Sequence, residues 1–343
     1  MSTLTVGIDV SKDTLDAAVS LPGSETATNI GSFKNNTKGF EQLSNSIEKE
    51  AQKAGADTIR LIIEPTGGYE TPLALFAHKR GWQVCLVNSY KVRKWAESQG
   101  RRAKTDPIDA RNLAEYGQVH EKKLHTWKPL PAKVAGLDDL LKRKDDLEEA
   151  LRRELNRLHA LEAQDIHGSA ILESVQRHIS WLENELCLLE DQINRYLDEH
   201  PDLKEQAKKL RTVPGVGEKN CLHFLVLMYR WDHITEGKGE KSSLVAYVGF
   251  DPVPFRSGTS VYKREVISRK GSPALRSRLY MSALGGVRGD SPLRDYYRHL
   301  QAVGKKKKVA LVACARKILI WIWAVFNSGT VFRAELACPK NSK

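Results

Sequence analysis

The chain has 343 residues, of which 41% are hydrophobic and 28% are charged, and this composition excludes a disordered chain. The length exceeds what one compact core usually holds, so we expect two or more domains. The net charge of +12 favours a polyanionic partner, most often a nucleic acid, over a basic but inert surface.

The cysteines and the apolar stretches exclude further classes of protein. Five cysteines are an odd number, and none forms a CxxC pair, so we expect a reduced intracellular chain without a zinc site. The N-terminus runs directly into a strand, so we expect no signal peptide. The most apolar stretch, residues 309–326, carries Arg316 and Lys317 near its middle. It therefore predicts a buried helix, and we expect no membrane partner.

Strands and helices alternate in the first third of the chain. Strands are predicted at residues 4–10, 15–21, 31–33, 59–63 and 82–87. Helices are predicted at residues 38–54, 73–80 and 109–120, with a basic loop or short helix at 93–104. The alternation predicts an α/β domain with a mixed sheet, which we place at residues 1–126.

A linker at residues 127–131 leads into two long helical stretches that end near residue 202. Leucines 140, 147, 151, 158 and 161 line the first stretch, and residues 167–169 break it. The second keeps an apolar heptad spacing at Val175, Ile179, Leu182, Leu186, Leu189, Ile193 and Tyr196. This coiled-coil seam is compatible with an intramolecular antiparallel helix pair and with a dimer. Residues 203–343 form the third segment.

Four carboxylates in the first third carry the strongest chemical signal. Asp9 lies within an apolar strand, Glu64 ends a buried strand, and Asp106 and Asp109 open a helix. Such acids can meet at one edge of a sheet and bind divalent metal ions for phosphate chemistry. The alternative is structural: Asp9 and Glu64 would be strand-end acids, and Asp106 would be an N-cap followed by a proline.

Two features of the third segment suggest contact with nucleic acid. The run VPGVGEK resembles the hairpin of a helix-hairpin-helix element, with Lys219 near its glycine turn; the alternative is an ordinary Pro-Gly turn. Ser257 precedes a glycine, so its hydroxyl can be exposed, although from the spacing alone a simple turn serine is clearly the better explanation. The cations predicted to contact phosphate around it are Arg256, Lys263, Arg264, Arg269 and Lys270.

The order of several motifs resembles one family. GIDVSKDTLDAAV, IIEPTGGY and KTDPIDARNLAE, followed by PGVGEK, AYVGFDPVPFRSGTSV and RKGSPALRSRLYMSAL, cover nearly the whole chain. Together they resemble the DEDD-type insertion-sequence transposases related to the Piv DNA invertase. This is the insertion-sequence one-ten family, whose members are described as bridge-RNA-guided recombinases.

The resemblance implies a fold and a mechanism. The first domain would have an RNase H-like (RuvC-like) fold, and coiled-coil helices would join it to a C-terminal helical transposase domain. Asp9, Glu64, Asp106 and Asp109 would bind Mg²⁺ or Mn²⁺, and Ser257 would attack DNA to form a covalent phosphoserine link. The partners implied are target and donor DNA and a structured guide RNA. Strand exchange needs more than one active site, so we expect a dimer that pairs into a tetramer in the bacterial cytoplasm, at the nucleoid when acting.

Three rival functions remain at this stage. A site-specific DNA invertase without guide RNA would share every motif. A metal-dependent junction nuclease would need the acids but not Ser257. A non-enzymatic nucleic-acid-binding scaffold would explain the charge but not an acid at a buried strand position.

Overall fold

The computed structural model describes residues 2–21, 23–24, 26–101, 105–163, 170–257 and 261–337. The chain divides into two compact units, Met1–Pro129 and Leu130–Lys343. The first is built around a sheet and the second is mostly helical, in agreement with the mixed α/β and helical classes predicted. Each unit is described by itself.

Five strands form the sheet of the first unit, in the order β3-β2-β1-β4-β5. They are β1 (Thr3–Val10), β2 (Thr14–Ser20), β3 (Thr28–Lys34), β4 (Thr58–Ile63) and β5 (Gln83–Leu86). The first three strands pair antiparallel, whereas β4 pairs parallel to β1 and β5 parallel to β4. This mixed sheet is consistent with the RNase H-like expectation.

In the described part of the first unit, four α-helices and a short 3-10 helix (Glu121–Lys123) accompany the sheet. The α-helices are α1 (Thr37–Ala54), α2 (Thr71–Lys79), α3 (Ser89–Ser98) and α4 (Asp106–Val119). The helix that begins the predicted basic segment at 93–104 ends at Ser98 and starts earlier than expected, at Ser89; residues 102–104 lie outside the described part. Trp127, expected in a linker, is tied to the edge strand by a hydrogen bond of 2.6 Å from its amide to the Val84 carbonyl.

Two glycines bring α4 onto the sheet. A Cβ on Gly7 of β1 would lie 2.1 Å from the Ala110 carbonyl oxygen and 2.2 Å from the Ala114 amide nitrogen. A Cβ on Gly117 would lie 2.3 Å from the Ile62 side chain. The helix backbone therefore packs directly on β1 and β4, with small Ala110 and Ala114 fully buried beneath it.

The second unit contains the remaining helices of the described chain. They are α5 (Ala132–Ala163), α6 (Ala170–Glu199), α7 (Pro201–Leu210), α8 (Glu218–Thr235), α9 (Lys241–Val248), α10 (Pro273–Gly286), α11 (Pro292–Ala302), α12 (Lys307–Ser328) and α13 (Ala334–Ala337). A two-stranded antiparallel hairpin, β6 (Pro252–Ser257) and β7 (Val261–Ile267), interrupts the helices. The helical core of this unit surrounds the buried face of α12.

Helices α5 and α6 are an antiparallel pair within one chain. Tyr196 donates to the Lys133 carbonyl at 3.0 Å, and Lys144 pairs with Glu190 at 2.6 Å. The heptad residues Leu182, Leu189 and Ile193 of α6 belong to one hydrophobic core with three leucines of α5, at positions 137, 141 and 147. The predicted apolar seam is thus used inside the chain. The predicted break at 167–169 lies outside the described residues.

Helix α12 is long and apolar enough to span a bilayer by length and composition. Nine of its residues are nevertheless buried in the second unit, among them the fully buried Ile318 and Ile322. It therefore has the contacts of a core helix, as its central charges predict.

Candidate active site and nucleic-acid contacts

The four acids come from three elements that meet at one edge of the sheet. Asp9 is the second-last residue of β1, and Ile8 pairs with Ile63 in the parallel neighbour β4. Glu64 follows Ile63 directly, so it leaves the sheet beside Asp9. Asp106 and Asp109 lie in the first turn of α4, which Gly7 allows to pack against β1.

The raised pKa of Asp9 is consistent with the other three acids lying nearby. Its pKa is raised from 3.8 to about 6, first by burial and then by repulsion from Asp109, Asp106 and Glu64. A carboxylate responds in this way when nearby like charges disfavour its ionised form. Asp109, Asp106 and Glu64 are therefore each within electrostatic range of Asp9.

A fifth acid, Asp16, belongs to the same neighbourhood and was missed by the sequence reasoning. Asp16 lies opposite Asp9 in the β1–β2 pairing, and it also raises the pKa of Asp9. The pKa of Asp16 is itself raised, mainly by burial, while a hydrogen bond to Ser32 acts in the opposite direction. The strands predicted at 4–10 and 15–21 contained the signal, because a short turn between them places residues 9 and 16 across from each other.

The donor set fits a divalent cation. Carboxylate oxygens are the ligands that hard cations prefer, and a cation would remove the repulsion that raises the pKa of Asp9. Among the described residues, no three carboxylate, histidine or cysteine side chains already stand close enough to form a complete metal cage. The acids therefore converge without being preassembled.

The structure corrects the capping interpretation of Asp106. The N-cap of α4 is Thr105, and Asp106 is the first helical residue, with Pro107 next to it. Asp106 is exposed and Asp109 is half-buried. An acid within the first turn still interacts favourably with the helix dipole, so this structural role and a metal-binding role are compatible.

The loop after Glu64 is held by its own chain. The buried Glu70 carboxylate accepts hydrogen bonds of 3.0 Å from the amides of Thr66 and Gly68. Gly67 and Gly68 adopt positive φ angles of 69° and 107°, which the tight loop requires. The Gly68 amide is thus already satisfied by a side chain of its own loop.

An ion pair to a buried glutamate anchors the chain just before Asp106. Arg101 pairs with the buried Glu115 of α4 and donates to Asn112 at 2.8 Å. The other Glu115 oxygen accepts from the Ala27 amide at 2.9 Å. This network ties the α3–α4 connection to the middle of α4; residues 102–104 lie outside the described part.

Ser257 ends β6 in the second unit, and its backbone pairs with Val261 across the hairpin. The side chains of Arg256, Ser257, Lys263 and Arg264 lie outside the described part of the structure, as do residues 258–260. The base of the hairpin is described. Ser268 donates its amide to the Asp251 carbonyl at 2.9 Å, which joins the two strands where they leave the helical core.

Two glycines and an arginine fix that base to α9. A Cβ on Gly271 would lie 2.2 Å from the Tyr247 carbonyl oxygen, and one on Gly249 would lie 2.8 Å from the Gly271 amide. Arg276 donates to the carbonyls of Val248 and Gly271, at 3.1 and 2.6 Å. The AYVGF and RKGSPALR motifs therefore hold two chain segments in direct contact.

Arg269 and Lys270 are exposed in this connection, as a phosphate contact requires. Arg269 has a positive φ of 56°, uncommon for a residue with a side chain, and its amide donates to the Gly249 carbonyl at 3.2 Å. The loop thus fixes the backbone of two neighbouring cations while it leaves both side chains accessible.

The glycine turn before α8 has a structural explanation of its own. Gly215 has φ +88°, and a Cβ there would lie 2.4 Å from the Ser282 carbonyl oxygen of α10. The adjacent N-cap Gly217 has no side-chain cap, and Lys219 is exposed in the first turn of α8. The turn therefore packs on α10 through Gly215 and leaves its Lys219 side exposed.

The sequence reasoning also missed a basic, aromatic cleft in the first unit. The cleft, of about 370 Å³, lies between α3, the end of α4 and the following 3-10 turn. Exposed lysines 91, 94 and 123 surround it, and Tyr90 is 68% exposed at its rim. Exposed aromatic rings beside cations are typical of single-stranded nucleic-acid contacts. In the sequence, this feature corresponds to the run SYKVRK (residues 89–94), which combines a tyrosine with three cations.

Charge is distributed unequally along the second unit. Residues 130–200 contain nine Lys and Arg against 16 Asp and Glu, whereas residues 201–343 contain 27 against 11. The positive potential expected to attract nucleic acid therefore belongs to the segment that carries the serine hairpin, and the helix pair α5–α6 is acidic.

Comparison with known families identifies both parts of the chain. Residues 6–163 match a DEDD-type transposase model of the IS110 group. Residues 207–298 match the model described as "Transposase IS116/IS110/IS902 family". The first match contains all four acids, and the second contains the serine hairpin.

Curated relatives give the same result over the whole length. The chain is 32% identical to the pilin gene-inverting protein of Moraxella bovis over 335 residues, which cover 97% of this chain and 98% of that protein. The corresponding protein of Moraxella lacunata is also 32% identical. An insertion element IS110 protein of Streptomyces coelicolor is 28% identical over 48% of this chain and 39% of its own length. The chain therefore belongs to the IS116/IS110/IS902 family of transposases, which are DNA-recombining enzymes.

Proposed function

We propose that this protein is an RNA-guided DNA recombinase that inserts and excises its own element through a covalent phosphoserine intermediate. The observation that carries the proposal is the convergence of Asp9, Glu64, Asp106 and Asp109 at one sheet edge, with the pKa of Asp9 raised by burial and then by the other three acids. The acids belong to the first unit and Ser257 to the second, so the proposed chemistry requires both.

The serine reaction is a transesterification. The Ser257 oxygen attacks a DNA phosphorus atom, a serine–phosphate bond forms, and one phosphodiester bond breaks to release a DNA hydroxyl. The serine proton passes to the leaving DNA oxygen, directly or through a base. Attack by the hydroxyl of another strand reverses these changes and restores the serine. No bond energy is lost to water, so strands can be rejoined without an external energy source.

The four acids would hold Mg²⁺ or Mn²⁺, which would stabilise the charge that develops on the phosphate oxygens. Asp9 is the central ligand of this assignment because burial raises its pKa and each of the other three acids raises it further. Asp16 would keep the neighbourhood negative from β2 and so strengthen the preference for a cation.

The cations of the second unit would bind the DNA backbone. Arg256, Lys263, Arg264, Arg269 and Lys270 surround the hairpin in sequence, and Lys219 lies at the exposed start of α8. In the first unit, the cleft beside Tyr90 would accept unpaired bases next to three lysines. The proposed partners are target DNA, donor DNA and a structured guide RNA, on a homo-oligomer that acts at the bacterial nucleoid.

A serine substitution tests the nucleophile. We expect Ser257→Ala to abolish strand exchange and the protein–DNA adduct, measured with end-labelled element DNA on a denaturing gel. Ser260→Ala is the matched control, a second serine of the same RSGTS run, and should retain both. Adduct formation by Ser257→Ala would exclude this serine as the nucleophile.

The second candidate function is site-specific DNA inversion without a guide RNA. It is favoured by one observation, the match along almost the full length of a protein named for inverting a pilin gene. RNA sequencing of the purified protein separates the two candidates. A discrete co-purified RNA that restores strand exchange to nuclease-treated protein supports guidance, whereas full activity after nuclease treatment supports the invertase.

The same serine variant separates a hydrolytic nuclease from both recombinases. A junction nuclease uses water as the nucleophile, so Ser257→Ala would still cut DNA in the presence of the metal. Loss of both cutting and adduct formation supports transfer through the serine.

A further inference from the structure

An exposed tyrosine lies at the sheet edge that carries the acids. The loop at residues 65–69 follows Glu64 and ends in Tyr69, which is 48% exposed. Within the part of the chain that the structure describes, the Tyr69 ring contacts no other aromatic ring and its hydroxyl makes no hydrogen bond. A single exposed ring is ordinary on a protein surface, so the position of this ring must decide whether it has a function.

The backbone of Tyr69 is fixed beside the end of β1. The side-chain nitrogen of Asn35 donates to the Ser11 carbonyl at 2.9 Å and to the Tyr69 carbonyl at 3.1 Å. Ser11 follows Asp9 by only two residues along the chain. The backbone amide of Asn35 also donates to the Asp13 carbonyl, at 2.9 Å. One asparagine therefore joins the turn after β1, the end of β3 and the loop that carries the exposed ring.

The rest of the same loop is fixed by its own hydrogen bonds. The buried Glu70 carboxylate accepts from the amides of Thr66 and Gly68, and the Thr71 amide donates to the Gly68 carbonyl at 3.1 Å. The loop therefore holds its backbone in one arrangement while the Tyr69 side chain remains accessible. An aromatic group on such a fixed backbone loses little conformational entropy when it binds a partner.

The acids and the tyrosine ring suit different parts of a nucleotide. Carboxylates repel a phosphate until a cation lies between them, and an added lysine or arginine would compete with that cation for the acids. An aromatic ring instead binds a base by stacking, which adds attraction without adding charge. Every base has an aromatic face, so this contact does not depend on the DNA sequence. The sheet edge therefore offers a phosphate site and a base site next to each other.

We propose that Tyr69 stacks on an unpaired DNA base next to the phosphate that is cut, and so holds the cut strand on the acidic sheet edge. This inference rests on the proposed function, because it takes the four acids as the site of that phosphate. The occupant is DNA rather than RNA, since the phosphate at the acids belongs to the strand that is cut. That strand must leave its complement during exchange, which frees the flanking base for stacking.

Fluorescence of 2-aminopurine, which stacking quenches, tests the contact with the full-length protein in Mg²⁺. The probes are two element-end DNAs that carry this base, unpaired, on one or the other side of the element boundary. We expect Tyr69→Leu to leave the bound probe brighter than wild type does and to weaken its binding about tenfold. Tyr69→Phe keeps the ring and should match wild type in both. Leu75→Ala is the matched control, because it removes a 37% exposed apolar side chain from the neighbouring helix α2.

Two further measurements separate stacking from a structural role and from the metal site. The free energy of unfolding and the rise in melting temperature with Mg²⁺ should be the same in Tyr69→Leu and wild type, because the ring is exposed. If wild type shows no such rise, the proposed metal site fails, whereas the fluorescence difference still measures the stack. Equal fluorescence and affinity in Tyr69→Leu and wild type would overturn the proposal. So would weakened binding in Tyr69→Phe, or a fluorescence difference seen only with labelled RNA.

Discussion

The two units support their chemical groups in different ways. The acids of the first unit lie on a sheet edge and a helix that packs directly on it, so strand pairing and one close helix contact bring all four together. Ser257 of the second unit lies at the end of a two-stranded hairpin, whose base is tied to α9 and α10. A site on a sheet edge is set by register, whereas a site on a hairpin is set by how its base is anchored.

This difference suits the two roles proposed. Carboxylates that share a cation must approach one another closely, which rigid neighbouring strands achieve. A nucleophile that remains attached to a DNA end must be able to follow that strand, and a position at the end of a hairpin strand suits this role. Both regions depend on glycines. Gly7 lets the backbones of β1 and α4 come into contact, and Gly271 does the same for the hairpin base and α9, because neither position has space for a Cβ.

The largest effect is expected from Gly7→Ala. The added Cβ would lie 2.1 Å from the Ala110 carbonyl oxygen, so α4 must move away from β1. We expect a loss of about 3 kcal/mol in the free energy of unfolding, and loss of strand exchange, because Asp106 and Asp109 move with the helix. Urea denaturation measures the change in the free energy of unfolding. Gly217→Ala, which has open space and a negative φ of −86°, should cost far less; equal effects would contradict the close packing of α4.

Gly271→Ala tests the hairpin base in the same way. Its Cβ would lie 2.2 Å from the Tyr247 carbonyl oxygen, but the segment that must shift is an exposed connection rather than a core helix. We therefore expect a smaller loss, about 2 kcal/mol, with a marked decrease in the covalent adduct. Gly285→Ala in α10 has nothing within 4 Å and should be neutral or slightly stabilising. An unchanged adduct yield in Gly271→Ala would show that the base does not position the serine.

The sequence predicts local elements of this protein but not which of them become neighbours. Strand order along the chain, the helix at 38–54 and the acids at strand ends follow from apolar periodicity and position, and the structure contains each of them. Asp16 and the Tyr90 cleft were missed because their importance depends on which elements become neighbours. The heptad of α6 was visible, but only the pairing of Tyr196 with Lys133 and of Lys144 with Glu190 shows that its partner is α5.

A third, smaller effect is expected from Asp9→Asn, which separates fold stability from metal binding. Without metal, the neutral amide removes the repulsion from Asp109, Asp106 and Glu64. We expect the variant to be more stable than wild type by about 1 kcal/mol at pH 7, after discounting for the solvent that reaches the site. Added Mg²⁺ should raise the melting temperature of wild type but not of the variant. A destabilised metal-free variant would show that Asp9 has a structural partner.

The smallest expected effect is the pH dependence of the difference in unfolding free energy between wild type and Asp9→Asn. In the unfolded chain Asp9 ionises near its ordinary pKa of 3.8, and in the folded protein its pKa is about 6. Between these values the folded state keeps a proton that the unfolded state has lost, so this group makes the folded protein less stable as pH rises. We expect the metal-free stability of wild type, relative to Asp9→Asn, to fall by about 0.5 kcal/mol per pH unit from pH 4 to 6 and to stay constant above pH 7. Urea denaturation of wild type and Asp9→Asn in the presence of a chelator measures this change. The contributions of titratable groups that both proteins share cancel in the difference. A difference that grows in the opposite direction would mean that a cation of the protein already compensates Asp9, and the sheet edge would then not need a metal.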